Sequence, residues 1–283
     1  MLFLNKIVKY KNVKFGLGGF LMVIKLEFKP VNNEMVDLPV HYNRPLQGMF
    51  YNLMSDAIPE YHDDGTLIDN KKLKLFTFSR IYPLSSFKVE HKRMKFYGSF
   101  VVYFASPMQE IIDAIFKSIE SEEVFRVERN YFTLKKTEMV IETTNETLLV
   151  KTLSPITTYS TIILPNGNRY THYFSPYSTD FKKLVEENLK RKANALGIET
   201  KRKCLSIEPY GITEKNEKLL FYKGIIIKGW TGYFKLKGNK ELISLTLNSG
   251  LGAKNAQGFG MVIPADKDNY TTQLSQEEKF AFR

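Results

Sequence analysis

The order in which the apolar pattern changes along the chain constrains its fold more than any other feature. Residues 23–28 alternate apolar and polar side chains, which is typical of a strand. Residues 45–57 then carry apolar side chains at helical spacing. Two strand patterns, a helix that begins at Pro107 and a strand at about 124–135 complete the first half. This succession of strand, helix, strand, strand, helix and strand predicts an α+β domain of the ferredoxin-like type.

The second half repeats the same succession, and 283 residues suit two domains of ordinary size. We predict strands at 148–160 and near Tyr170, a helix at 179–195, strands at 204–209 and 219–236, a short helix at 239–247 and a last strand at 260–263. The predicted division is an N-terminal extension at 1–21, domains at 22–145 and 146–264, and a flexible tail at 265–283.

A glycine-rich loop separates the last predicted helix from the last predicted strand. Residues 250–262 read GLGAKNAQGFGMV, a spacing that fits neither the dinucleotide fingerprint nor the P-loop. Glycine can turn successive backbone N–H groups toward an anion, and a lysine adds a mobile positive charge. The candidate phosphate-binding residues are Gly250, Gly252, Lys254, Asn255, Gly258 and Gly260. The alternative is a tight connection between helix and strand, which also needs glycine.

The charge and aromatic content indicate what the anion is. The chain has 41 Lys+Arg against 30 Asp+Glu, a net charge of +11, and 13% aromatic residues. Such a protein suits RNA, because unpaired bases stack on aromatic rings. Residues 223–240 contain five lysines and no acid beside Trp230, Tyr233 and Phe234, so we predict RNA contacts there through Lys228, Lys235 and Lys237. The alternative is a solvated lysine face, which we prefer for the basic helix 179–195.

Other classes of site find little support in the sequence. The single cysteine, Cys204, excludes an intrachain disulfide, and we expect it to be a buried strand residue. No Cys/His cluster has zinc spacing, so we expect neither metal nor cofactor. The apolar run at 15–24 is too short and too rich in glycine to span a bilayer. We therefore expect a cytoplasmic protein without a membrane partner.

Four motifs carry a resemblance to a known family: the glycine-rich loop, YNRPLQGMFYNLM at 42–54, KLFTF at 74–78 and TLSPI at 152–156. Over about 22–263 the chain resembles the metal-independent endoribonucleases of the RAMP superfamily that process CRISPR repeat RNA. The resemblance implies two tandem ferredoxin-like (RRM-like) domains and cleavage of pre-crRNA to guide RNA by 2′-hydroxyl attack, leaving a 2′,3′-cyclic phosphate and a 5′-hydroxyl. Repeat RNA would be the partner, with effector-complex subunits or a second copy as further ones.

The resemblance also implies a set of catalytic residues. The family's helix tyrosine, the histidine beyond it and the lysine of the next strand correspond to Tyr51, His62 and Lys74, with His41 as an alternative base. Histidine can accept a proton near neutral pH, and lysine can stabilise charge on a phosphoryl oxygen. A basic loop and a strand edge explain two further histidines, His91 and His172. The rival interpretation is a non-catalytic RAMP protein that only binds guide RNA.

Overall fold

A computed structural model describes residues 20–55, 66–68, 71–201 and 204–265. Most of the predicted N-terminal extension, nearly all of the predicted flexible tail and the candidate base His62 lie outside the described residues. The fold below is that of the described parts of the chain.

The first half forms a sheet with two helices on one face. Its strands are β1 (Phe20–Pro30), β2 (Val36–Pro39), β3 (Thr66–Ile68), β4 (Lys71–Leu73), β5 (Thr77–Phe78), β6 (Tyr82–Pro83), β7 (Phe87–Glu90), β8 (Arg93–Phe96), β9 (Phe100–Ala105), β10 (Phe125–Val127) and β11 (Asn130–Thr143), and its helices are α1 (Asn43–Ser55) and α2 (Gln109–Ser121). The main sheet has the antiparallel order β10-β11-β1-β9-β5, with β6 also paired to β9. The first and third ferredoxin strands, β1 and β9, are therefore central.

The second half repeats this arrangement. Its strands are β12 (Thr147–Thr152), β13 (Tyr159–Ile163), β14 (Arg169–Tyr173), β15 (Leu205–Tyr210), β16 (Glu217–Tyr222), β17 (Ile225–Trp230), β18 (Tyr233–Gly238) and β19 (Val262–Pro264), and its helices are α3 (Thr179–Ala195) and α4 (Lys240–Ser249). The sheet order is β15-β18-β12-β19, and β13–β14 and β16–β17 are separate hairpins. First and third strands are again central, so the predicted α+β fold of two tandem ferredoxin-like domains is confirmed.

Helix α4 lies between the two domains. Its residues from Leu242 to Ser249 are all buried. The first-domain residues Val23, Val101 and Tyr103 belong to the same apolar core as the second domain, because they line the sheet face opposite α1 and α2. The backbone N–H of Met22 donates a hydrogen bond of 2.8 Å to Asn248 Oδ1, which ties α4 to β1. The C-terminus of α4, where the glycine-rich loop begins, is thus held near the first domain.

Several local predictions were wrong. The predicted strand at 148–160 is divided between β12 and β13, and the predicted strand at 219–236 is divided among β16, β17 and β18. A strand was expected to open at Lys74, but β4 ends at Leu73 and β5 contains only Thr77 and Phe78. All residues from Leu75 to Ser79 are buried, so this segment lacks the exposed face of an alternating strand. Cys204 is exposed rather than buried, because it precedes β15, whose inward positions begin at Leu205.

Candidate active site and RNA interface

Tyr51 and Lys74 come together on one side of α1. The helix buries an apolar stripe that includes Leu46, Phe50 and Leu53, and Tyr51 lies off that stripe and half-buried, as its spacing predicts. Its ring packs edge-to-face on Phe76, with centroids 5.7 Å apart. The Lys74 ammonium nitrogen lies 4.7 Å from the centre of the Tyr51 ring. A phenol and a cation are therefore neighbours, although they come from different segments of the chain.

His41, the alternative base, lies at the other end of α1. From Asn43, the first helical residue, to Tyr51 is eight residues, or about 12 Å along the axis. The Nδ1 atom of His41 accepts a hydrogen bond of 3.2 Å from the backbone N–H of Phe221 in β16. Burial first, and then the positive charge of Arg80, holds the pKa of His41 below its usual value. His41 is therefore neutral near pH 7, but it is separated from the Tyr51–Lys74 pair.

The glycine-rich loop rests on α1 and β5 of the first domain. Asn43 Nδ2 donates hydrogen bonds to the carbonyl oxygens of Gln257 (2.9 Å) and Gly258 (3.1 Å). Gln47 Nε2 donates to the Ala256 carbonyl at 2.6 Å. Gln47 and Tyr51 are four residues apart and so lie on the same helix face. The loop backbone is therefore about one helical turn from Tyr51.

The loop is itself closed by internal contacts. The buried Asn255 side chain donates to the carbonyl oxygens of Leu251 and Phe259, both at 3.0 Å. Gly258 has φ +80°, and a Cβ there would lie 2.5 Å from Phe78 Cε2. Gly250, Gly252, Gly258 and Gly260 are all buried. Packing within the protein thus accounts for the glycines, as the tight-connection alternative requires, and RNA contact by these residues stays a prediction.

Lys254 differs from the other candidate residues of the loop because its side chain is half-exposed, whereas they are buried. Its backbone has φ +61°, and its Nζ lies 4.9 Å from the centre of the Tyr159 ring in β13. Tyr159 in turn packs on Tyr173 of β14, with centroids 5.8 Å apart. Of the loop's candidate residues, Lys254 is the one whose charge is directed outward along the β13–β14 hairpin.

A buried lysine that the sequence interpretation missed supports the start of the loop. Lys192 was assigned to the solvated face of helix 179–195, yet it is 3% exposed and donates to the carbonyl oxygens of Ser249 (3.1 Å) and Gly250 (2.6 Å). Burial lowers its pKa to about 7. The signal was present in the spacing, because Lys192 follows Leu189 by three positions on the buried stripe of α3. Its ammonium group caps the C-terminus of α4.

The basic region 223–240 does not form a single surface. Lys235 and Lys237 are exposed on the same face of β18. Lys228 belongs to the separate β16–β17 hairpin, where it pairs with Glu217 at 3.4 Å. Phe234 is not available for base stacking, since it is buried, whereas Trp230 is half-buried and its Nε1 donates to the Phe174 carbonyl at 3.1 Å. The structure therefore brings together two of the three predicted lysines.

The two histidines of lower priority lie at the surface. His91 is exposed in a turn with φ +50°, and His172 is exposed on β14 with its ring centroid 4.7 Å from that of Phe174. Across the described residues, His, Cys, Asp and Glu form no group of three or more that could hold a metal ion. None of the helices described is both long enough and apolar enough to cross a membrane.

Comparison with known families gives two adjoining matches. The family described as CRISPR-associated protein Cas6, N-terminal, matches residues 37–138, and that described as CRISPR associated protein Cas6, C-terminal, matches residues 134–263. A Methanocaldococcus jannaschii protein named CRISPR-associated endoribonuclease Cas6 1 is 26% identical over 249 residues, covering 88% of this chain and 94% of its own. A Pyrococcus furiosus protein named CRISPR-associated endoribonuclease Cas6 is 25% identical over 252 residues, covering 87% and 90%.

Solved structures share the fold. One titled CRISPR associated protein Cas6 aligns with a TM-score of 0.71 at 25% identity, covering 87% of this chain and 99% of its own. A second, titled Characterization of a Cas6-related gene from Pyrococcus furiosus, has a TM-score of 0.74 at 20% identity, covering 87% and 99%. A third, titled An RAMP protein binding different RNA substrates, has a TM-score of 0.72 at 20% identity, covering 87% and 100%.

Proposed function

Because the chain belongs to the Cas6 family of CRISPR-associated proteins, we propose that it is an endoribonuclease that cleaves CRISPR repeat RNA in pre-crRNA to release guide RNAs. The two family matches together span residues 37–263, which contain the first domain after β1 and nearly all of the second domain. Relatives that cover nearly the same length of chain carry the name endoribonuclease, which supports the same activity here. The net charge of +11 suits a polyanionic substrate.

The proposed reaction is an internal transesterification. The 2′-hydroxyl attacks the adjacent phosphorus in line, the bond from phosphorus to the 5′ oxygen breaks, and the products are a 2′,3′-cyclic phosphate and a 5′-hydroxyl. His62 removes the proton of the attacking hydroxyl. Tyr51 positions that hydroxyl or donates to the leaving oxygen, and Lys74 stabilises charge on the phosphoryl oxygens. No step in this scheme needs a metal ion or a cofactor.

The observation that carries this proposal is the contact of Lys74 with the Tyr51 ring at 4.7 Å. Tyr51 lies off the buried stripe of α1, and the segment before β5 places the Lys74 cation against its ring. A reacting phosphate needs both groups, because one must direct a proton while another balances charge. Gln47, one turn away, donates to the Ala256 carbonyl and so anchors the glycine-rich loop next to this helix face.

Substitution of the two candidate bases separates them. We expect His62→Ala to abolish cleavage while RNA binding persists, because only the proton acceptor is lost. We expect His41→Ala to retain cleavage, because His41 lies at the opposite end of α1 and its Nδ1 already accepts from Phe221. Single-turnover cleavage and filter binding of repeat RNA measure the two quantities. The reverse result would assign the base to His41.

The decisive test of the activity uses labelled repeat RNA in EDTA, beside a copy with one deoxynucleotide 5′ to the cut site. Cleavage of the RNA at one position, with the deoxy copy bound but intact, is the expected result, since the attacking group is then missing. Tight binding of both RNAs without cleavage would overturn the proposal and favour a non-catalytic RAMP protein. Dependence of cleavage on added Mg²⁺ would overturn the metal-independent mechanism alone.

Further partners belong to the same proposal. A cytoplasmic protein that releases guide RNAs would pass them to effector-complex subunits or keep them bound. It could also act as a pair of identical copies. Size-exclusion chromatography with and without repeat RNA distinguishes a monomer, a homodimer and a retained product.

A further inference from the structure

The second domain has one sheet face without helices. Side chains alternate across a strand, so the buried Leu205, Ile207, Phe234 and Leu236 direct their neighbours to the opposite face. That face carries Ser206, Glu208 and Tyr210 on β15, and Tyr233, Lys235 and Lys237 on β18, all of them exposed. The described residues therefore leave the β15 and β18 part of this face open to solvent, and this part carries both aromatic and basic side chains.

Two tyrosines form a row across this face. Tyr210 and Tyr233 are directly opposite in the antiparallel register of β15 and β18. Directly opposite residues place their Cβ atoms about 4.5–5.5 Å apart, so the two tyrosines are cross-strand neighbours. Tyr210 is 63% exposed and Tyr233 is 36% exposed. On the other side, Lys151 of β12 is opposite Tyr233 and places its Nζ 5.8 Å from that ring's centre. The row is thus aromatic, aromatic, cationic.

The exposed lysines continue the row along β18. Lys235 and Lys237 follow Tyr233 at alternate positions and share its face. Glu208 is opposite Lys235 and is the one acid on the open face of β15 and β18. Two exposed lysines against one glutamate leave a positive surface. Such a surface suits a polyanion with bases better than an acidic membrane or an uncharged protein face.

We propose that Tyr210 and Tyr233 are a stacking platform for two consecutive bases of single-stranded RNA, whose phosphates pass over Lys235 and Lys237. The inference rests on the proposed function and names residues that hold the substrate. Stacking on adjacent strands of an open sheet explains why large aromatic side chains stay exposed. The backbone N–H of Gly232, which precedes Tyr233, donates to Thr152 Oγ1 at 2.9 Å. Leu153 follows Thr152, and its carbonyl oxygen accepts a hydrogen bond from the Tyr82 hydroxyl of the first domain. RNA on the platform therefore lies at the edge of the domain junction.

The test is the affinity of full-length protein for repeat RNA that carries 2-aminopurine and the single deoxynucleotide that blocks cleavage. Tyr210→Ala and Tyr233→Ala should each weaken binding by roughly 5- to 150-fold, as loss of one base stack predicts. In both alanine variants the fluorescence of bound 2-aminopurine should be less quenched, and the salt dependence of RNA affinity should not change. Tyr→Phe at either position should bind RNA as the parent does, because the ring is kept. Tyr97→Ala is the matched control, because Tyr97 is 64% exposed in the first domain.

The outcomes distinguish failure of the proposed stacking platform from failure of the proposed endoribonuclease activity. Parent-like affinity and quenching in both alanine variants, with the parent cleaving RNA, would overturn the platform and leave the proposed function intact. A parent that neither binds nor cleaves repeat RNA would overturn both. Unchanged RNA affinity with loss of self-association in sedimentation would also overturn the platform and assign this face to a second copy of the chain.

Discussion

Gly258→Ala tests whether the glycine-rich loop is required for packing between domains. At this position the backbone has φ +80°, and a Cβ would lie 2.5 Å from Phe78 Cε2 and 2.7 Å from Asn43 Nδ2. Gly98→Ala is a suitable control, since Gly98 has φ +84° but a Cβ there would have no neighbouring atom within 4 Å. Both variants share the cost of a left-handed L-residue, about 1–2 kcal/mol. Only Gly258→Ala adds steric overlap.

The additional cost of Gly258→Ala follows from its neighbours. Overlap with a buried phenylalanine costs about 1–3 kcal/mol, because Phe78 is fully buried and has little room to move. Displacement of the Asn43 amide also weakens its hydrogen bonds to Gln257 and Gly258, each worth about 0.5–1.5 kcal/mol. Gly258→Ala should therefore be about 2–4 kcal/mol less stable than Gly98→Ala.

Thermal unfolding monitored by circular dichroism measures this difference in stability. For a chain of roughly this size, 1 kcal/mol shifts Tm by about 2–4 °C, so Gly258→Ala should melt at least about 4 °C below Gly98→Ala. Equal melting temperatures would refute the packing argument. Unchanged stability with weakened RNA affinity would instead support direct contact between this glycine and a phosphate.

Two further predictions concern buried and exposed lysines. Because burial lowers the pKa of Lys192 to about 7, the unfolded chain binds more protons than the folded one between about pH 7 and 10, so parent stability should rise over this range. The free energy of unfolding in urea, measured at about pH 7 and pH 9.5, should rise in the parent but not in Lys192→Met. An equal rise in both proteins would contradict the prediction. Replacing Lys235 and Lys237 together with alanine should reduce the slope of log affinity for RNA against log salt by about 1.4. Lys228→Ala should change the slope less, since Lys228 already pairs with Glu217; equal changes would place RNA on the hairpin as well.

Much of the fold was predictable because periodicity reports which face of an element is buried. Helix α3 was predicted at 179–195, and the structure has it at Thr179–Ala195. Helical spacing alone places Tyr51 off the apolar stripe of α1, and it is half-buried there. Short insertions such as β2 and β7 were missed, because four residues are too few to establish an alternating pattern.

Side chains whose surroundings come from distant segments were less predictable. Spacing places Lys192 on the buried stripe of α3, but the carbonyl groups that accept from its ammonium come from the end of α4. Trp230 resembles a stacking residue, but it is half-buried against the core of the second domain and its Nε1 donates to the Phe174 carbonyl. In both cases the local sequence gives the chemical group, whereas its environment comes from another element.

The sequence by itself determined the order of elements, the α+β class, the basic character of the protein and the residue types available for RNA chemistry. These follow from local spacing and composition, which do not depend on how distant segments meet. Only the tertiary structure decided that Lys74 contacts Tyr51, that His41 lies apart from them, and that the glycine-rich loop packs on Asn43 and Phe78. These are contacts between segments far apart in the chain, and the close packing of two domains, rather than any local pattern, fixes their distances.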